Sequence, residues 1–63
     1  MTFDEIPIGS IWIAADGGSY GYEVIGKSEN GQDIIVADLR RQTPREINYF
    51  KLQYRYKQVQ GES

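Results

Sequence analysis

The apolar residues of this chain are mostly β-branched, and they occur in short runs separated by glycine-containing segments. Isoleucine and valine number eleven, against two leucines and three alanines. β-Branched side chains are restricted at χ1 and favour the pleated surface of a strand, whereas leucine and alanine favour helix. The seven glycines lie almost entirely between the apolar runs, where turns need them. The sequence therefore predicts an all-β fold.

Alternation and turn signals divide the chain into five predicted strands, at residues 10–15, 20–28, 33–39, 45–49 and 56–59. The Asn30-Gly31 pair is a strong hairpin signal between the second and third of these. Core positions are predicted at Val24, Ile35 and Ile47.

Residues 50–56 fit two local structures. A continued strand is one, and a short helical turn that pairs Leu52 with Tyr56 is the other. We favour the helical turn. The whole chain then forms one domain over residues 1–59, with residues 60–63 as a flexible tail.

Composition excludes several function classes. The 63 residues contain no cysteine and no histidine, so the thiolate nucleophile, the commonest general base and the commonest metal ligand are all missing. The acidic residues are scattered over different loops, and a domain this small has little interior for a catalytic pocket. We therefore expect no enzyme activity, no metal site and no cofactor. No apolar run reaches the length of a membrane span, and the acidic N-terminus differs from a signal peptide, which predicts a cytoplasmic protein.

Three segments resemble small SH3-like β-barrel proteins of the bacterial and phage-encoded type. Ile8-Gly9-Ser10-Ile11-Trp12 is similar to their opening, and the segment at 22–26, Tyr-Glu-Val-Ile-Gly, is similar to their second strand. The spacing of Ile47, Leu52, Tyr56 and Val59 resembles their closing pattern. The resemblance covers residues 8–59. It implies a five-stranded SH3-like barrel, with one short helical turn before the last strand. It also implies a phage or prophage accessory protein in the cytoplasm of a bacterial host cell.

The C-terminal part of the chain combines basic and aromatic residues. Between residues 39 and 59 lie six of the seven lysines and arginines and four of the eight aromatic residues, whereas the first 38 residues carry seven acids and one lysine. Cations neutralise phosphates and tyrosine rings stack on bases, but the same residues could equally be an ordinary solvated face or contact an acidic protein. The candidate partner-binding face comprises Arg40, Arg41, Arg45, Lys51, Tyr54, Arg55 and Lys57.

Aromatic residues near the first loop form a second candidate. Trp12, Tyr20 and Tyr22 could form the floor of a peptide groove. The alternative for Trp12 is a place in the core, which we favour because its ring buries so much area.

Taken together, these patterns predict a non-catalytic binding module. We expect a protein partner or a second copy of the chain, with single-stranded DNA or RNA as the alternative ligand. The acidic net charge of −2 favours protein over nucleic acid. No membrane and no small-molecule substrate is expected.

Overall fold

The computed structural model describes residues 2–60. It contains one five-stranded sheet, a 3-10 turn at Phe3–Glu5 and one α-helix. The elements run β1 (Ile11–Ala14), β2 (Gly21–Lys27), β3 (Asp33–Asp38), β4 (Pro44–Asn48), α1 (Tyr49–Arg55) and β5 (Tyr56–Gln60). The strand order in the sheet is β4-β3-β2-β1-β5, and every neighbouring pair is antiparallel.

All five predicted strands are confirmed, with ends that differ by at most one residue. The helical segment is also confirmed, although it forms a seven-residue α-helix rather than a single turn. Gln60 belongs to β5 and not to the predicted tail, and residues 61–63 lie outside the described residues.

The first two loops are hairpin connections, as their glycines predict. Gly17, between β1 and β2, has φ 87°, and Gly31, between β2 and β3, has φ 73°. Both values lie in the left-handed region that glycine adopts without strain. Asn30 closes the second loop, because its side-chain oxygen accepts hydrogen bonds from the backbone N–H groups of Gln32 and Asp33.

The inner face of the sheet is the face that carries the buried side chains. Trp12, Tyr22 and Val24 meet Ile34 and Val36 there. Ile6, from the N-terminal arm, and Leu52, from α1, complete this core and are almost fully buried.

Two of the three predicted core positions pack in or against this core. Val24 is fully buried, and Ile47 is half-buried against it. The assignment of Ile35 to the core is wrong: Ile34 and Val36 are the fully buried residues of β3, and Ile35 is half-buried on the opposite face. Side chains alternate between the two faces of a strand, so either Ile34 and Val36 or Ile35 faces the core. All three residues are apolar, and the sequence therefore does not indicate which face is buried.

Buried Trp12 has its polar group satisfied locally. The indole N–H donates to the hydroxyl oxygen of Ser10 over 2.9 Å, and that hydroxyl donates to the carbonyl oxygen of Pro7 over 2.6 Å. Ser10 is itself fully buried. A ring this large can therefore lie in the core without an unpaired N–H group.

The structure confirms the predicted β fold with five strands, and within residues 2–60 the sheet is open and not closed into a barrel. β4 and β5 are its two edges and are not paired within residues 2–60. Helix α1 connects these two strands, and its Leu52 reaches the core between them. Val59, expected to close the barrel, is 58% exposed, because the pairing of β1 with β5 shifts there: Ile11 faces Gln60 while Trp12 faces Gln58.

Candidate functional site

Helix α1 begins at a well-formed cap. The side-chain oxygen of Asn48 accepts hydrogen bonds from the backbone N–H groups of Phe50 (2.9 Å) and Lys51 (3.4 Å). Asparagine is among the best residues for this position because it satisfies donors that have no partner inside the helix. The cap fixes where the helix starts, and with it the direction in which each of its side chains points.

One side of α1 carries exposed aromatic and cationic side chains. Phe50 and Tyr54 are 69% and 79% exposed, and they are four positions apart, which places them on the same side of the helix. Lys51 and Arg55 follow them at the same spacing. An open depression of about 420 Å³ lies among these four side chains. We call Phe50, Lys51, Tyr54 and Arg55 the α1 surface.

A deeper cavity lies between β4, α1 and the start of β5. It measures about 360 Å³, and we call it the β4–α1 hollow. Its lining residues are Tyr22, Val36, Arg45, Glu46, Ile47, Asn48, Lys51, Arg55 and Tyr56. The hollow therefore joins three cationic side chains to two phenol rings at the open side of the sheet.

Arg45 lies on the inner face of β4. Its partner on β3 is buried Val36, just as the partner of Ile47 is buried Ile34. The guanidinium Nη1 donates a hydrogen bond of 3.0 Å to the hydroxyl oxygen of Tyr22, and the guanidinium carbon lies 5.9 Å from the centre of that ring. Because Tyr22 is buried in the core, this contact holds the arginine head at the mouth of the hollow.

The tyrosine rings form a row behind the hollow. Tyr56 contacts Tyr22 edge-on at 5.3 Å and Tyr20 edge-on at 6.0 Å between ring centres. Burial raises the pKa of Tyr56 to about 12, and the neighbouring phenols of Tyr22 and Tyr20 add to the effect. Tyr56 is therefore a neutral hydrogen-bonding group over the whole physiological range.

Arg40 and Arg41 occupy the turn between β3 and β4, away from the hollow lining. A carboxylate oxygen of Asp38 accepts hydrogen bonds from the backbone N–H groups of both residues, at 2.7 and 3.0 Å. These hydrogen bonds, from Arg41 first and then Arg40, lower the pKa of Asp38. The two backbone N–H groups thus stabilise the turn, and both arginine side chains are exposed.

The structure thus divides the predicted basic face. Lys51, Tyr54 and Arg55 meet on α1, and Arg45 joins Lys51 and Arg55 at the hollow. Lys57 pairs with Ile13 on β1, on the side of the sheet opposite to Trp12.

The second predicted cluster is divided by depth. Trp12 and Tyr22 are 4% and 6% exposed and belong to the core, as favoured for Trp12, while Tyr20 is 46% exposed. Tyr22 nevertheless contributes its hydroxyl group and ring to the hollow. The two clusters that the sequence presents separately are therefore adjacent in space.

The sequence patterns do not single out three residues of this region, Phe50, Asn48 and Tyr56. Phe50 stands among the aromatic residues of the basic segment, but its exposed position on α1 depends on where the helix begins. Asn48 caps α1, and an asparagine two residues before the predicted helical segment at 50–56 is a signal that could have identified it. The sequence predicts that Tyr56 closes the barrel, and in the structure it also lines the hollow. Its dual position depends on the packing of β5 beside α1, which no local pattern reveals.

Within residues 2–60, no three acidic, histidine or cysteine side chains lie close enough together to hold a metal ion. The same part of the chain contains no helix that is both long and apolar enough to cross a membrane.

Comparison of the chain with protein-family models, with curated proteins and with solved structures finds no match.

Proposed function

We propose that this protein is a non-catalytic binding module that docks on an acidic segment of a partner protein through the α1 surface. The observation that carries the proposal is the exposure of Phe50 and Tyr54 on one side of a short helix, each followed by a cation. The chain is further inferred to be an opened form of the SH3-like barrel, of the phage or prophage type. The five-stranded antiparallel order, with a helix before the last strand, supports this inference.

The exposed rings of α1 have no part in the hydrophobic core. Leu52 is the one buried residue of the helix, whereas Phe50 and Tyr54 face solvent. Covering a phenylalanine ring completely gains about 1.5–3 kcal/mol, and aromatic residues are enriched among those that dominate binding energy at interfaces. The two rings therefore supply apolar contact area for a partner.

Charge decides what kind of partner fits. Lys51 and Arg55 flank the rings, and Arg45 stands at the neighbouring hollow. A partner segment with carboxylates beside an apolar residue would complement this arrangement, because charge complementarity steers encounter and excludes wrong partners. Nucleic acid is the alternative ligand. Nucleic-acid-binding domains usually carry a basic surface and have a high isoelectric point. This chain has a net charge of −2 and an isoelectric point of about 4.9, which argues against nucleic acid.

Affinity capture with matched variants tests this proposal. The unaltered chain and a Phe50→Ala/Tyr54→Ala variant are immobilised side by side, and a lysate of the source cells is passed over both. The control is Ile8→Ala/Val59→Ala, which removes two exposed apolar side chains outside α1. We expect one acidic protein on the unaltered chain and on the control, and its loss from the α1 variant.

The captured protein is then purified, and its affinity for the three forms is measured by calorimetry. Equal affinity for all three forms would contradict docking on α1. Sub-micromolar binding of single-stranded oligonucleotides at about 150 mM salt, lost in Arg55→Glu, would favour nucleic acid instead. Self-association that disappears in the α1 variant, detected by sedimentation, would identify a second copy of the chain as the partner.

A further inference from the structure

We propose that the β4–α1 hollow binds a phosphate monoester as its dianion. This site goes beyond the docking of a partner on the α1 surface, because it is a separate cavity with its own lining. The two features share Lys51 and Arg55, whereas Arg45, Tyr22 and Tyr56 belong to the hollow alone.

The charge at the hollow favours a dianion over a monoanion. Arg45, Lys51 and Arg55 line it and bring three positive charges, whereas the one acidic residue of the lining, Glu46, pairs with Ile35, on the opposite face of the sheet. A phosphate monoester carries about −1.5 to −2 at pH 7 and offers three strong acceptor oxygens. A carboxylate or a phosphodiester carries a single negative charge and would leave two of the three cations unmatched.

Arg45 is positioned for this role before any ligand arrives. One of its N–H groups is used by the hydroxyl oxygen of Tyr22, which leaves the other donors of the planar guanidinium for a ligand. Guanidinium groups bind phosphate oxygens through two parallel hydrogen bonds, and a head already held in place loses less conformational freedom on binding.

The other two cations, Lys51 and Arg55, lie on the same side of α1. Lys51 and Arg55 are four positions apart, a spacing at which like charges destabilise a helix by a small amount. A dianion between them would remove that repulsion. The phenol of Tyr56 lines the same cavity and adds a neutral donor.

The dimensions of the hollow favour one small group over a polymer. Its volume of about 360 Å³ lies at the lower end of the range for ligand pockets, roughly 300–1,000 Å³. The side chains of Val36 and Ile47 line it beside the tyrosines. The monoester could therefore be a phosphorylated side chain of a protein or a free sugar phosphate, since both present the same terminal group.

Nuclear magnetic resonance titration of the full chain with phenyl phosphate, at constant ionic strength, tests the proposal. We expect saturable shifts of the Lys51, Arg55 and Tyr56 amides and of the Arg45 side-chain N–H groups. Arg45→Gln should weaken binding at least about tenfold. Arg40→Gln is the matched control, because it removes the same charge from the β3–β4 turn, and it should leave the affinity unchanged. Lys51→Gln serves as a second variant if Arg45→Gln does not fold.

Dimethyl phosphate and acetate, each with one negative charge, should bind much more weakly than phenyl phosphate. Equal affinity for the three ligands would overturn the proposal and indicate non-specific electrostatic attraction. An equal loss of phenyl phosphate affinity in Arg40→Gln and Arg45→Gln would do the same. Absence of saturable shifts would overturn it outright. Phosphoserine and ribose 5-phosphate then distinguish the two sources, because the tighter of the two identifies the physiological carrier. Phenyl phosphate binding is independent of the protein partner, so its failure would leave the α1 docking test intact.

Discussion

Arg45 and Tyr22 meet at the open side of the sheet, although 23 positions separate them in the chain. The guanidinium Nη1 of Arg45 donates to the hydroxyl oxygen of Tyr22 over 3.0 Å, and the guanidinium carbon lies 5.9 Å from the centre of the ring. This contact joins a residue of the basic segment to a residue of the core. The β3–β4 register places Arg45 at the rim of the β4–α1 hollow, and the hydrogen bond to Tyr22 holds its guanidinium there.

The contact between these two side chains is measurable as a coupling energy. Tyr22→Phe removes the hydroxyl acceptor and keeps the ring, so we expect it to lower the free energy of unfolding by about 1 kcal/mol. Combined with Arg45→Ala in a double-mutant cycle, followed by urea denaturation, it should show a coupling of roughly 0.5–1.5 kcal/mol. Additive effects of the two substitutions, within about 0.3 kcal/mol, would mean that the contact contributes nothing to stability.

Ser10→Ala should lower the free energy of unfolding more than the substitution of an exposed serine does. It deletes the hydroxyl oxygen that accepts from the buried indole N–H of Trp12. A buried donor without a hydrogen-bond partner lowers the free energy of unfolding by about 1–3 kcal/mol. Substitutions at exposed positions usually change it by less than about 0.5 kcal/mol. Ser19→Ala, in the exposed β1–β2 loop, is the control. Thermal melts of the two variants with equal midpoints would contradict the assigned hydrogen bond.

Much of the fold could be predicted from local patterns. The five strands follow from short β-branched runs between turn signals. The spacing of Leu52 and Tyr56 predicts a helical turn at residues 50–56, but the helix runs from Tyr49 to Arg55 and Tyr56 belongs to β5. The face of β3 could not be predicted, because Ile34, Ile35 and Val36 are all apolar and only the register with β2 and β4 selects the inward pair.

The candidate site was predictable in composition and not in arrangement. The sequence shows that cations and rings alternate after residue 39, but it places Arg40, Arg45 and Lys57 in one group. Strand alternation and the β3–β4 turn then send these three side chains to different parts of the surface. Tyr22 was assigned to another cluster because its partner lies on a strand two places away in the sheet.

In helix α1, the buried residue should contribute to stability and the exposed aromatic residues to partner binding. Leu52 is fully buried, so Leu52→Ala should cost about 2–5 kcal/mol, enough to abolish a cooperative transition in a domain of roughly 3–5 kcal/mol. Phe50→Ala, on the exposed side, should change stability by less than about 0.5 kcal/mol. Urea denaturation monitored by circular dichroism measures both. A large loss in Phe50→Ala would assign that ring to the fold and remove it from the α1 surface.

Alkaline pH should destabilise the chain through Tyr56. Its phenol pKa is about 12 in the folded protein and about 10 in an unfolded chain. Between these values the unfolded state has released the proton that the native state keeps, so stability is fully present below pH 10 and falls as pH rises towards 12. Tyr56→Phe lacks this phenol and keeps every lysine. Its melting temperature should therefore fall less steeply with rising pH than that of the unaltered protein. Identical slopes for the two proteins would contradict the burial of Tyr56.

The central claim is that the α1 surface is where this protein meets its partner, and site-specific photocrosslinking in the source cells tests it most directly. A photoreactive phenylalanine analogue is placed at Phe50, at Tyr54 or, as a control of similar exposure, at Ile8. We expect irradiation to join the first two forms to the same acidic protein and to leave the Ile8 form unjoined. An identical crosslinked product from all three positions, or a product from Ile8 alone, would contradict the claim.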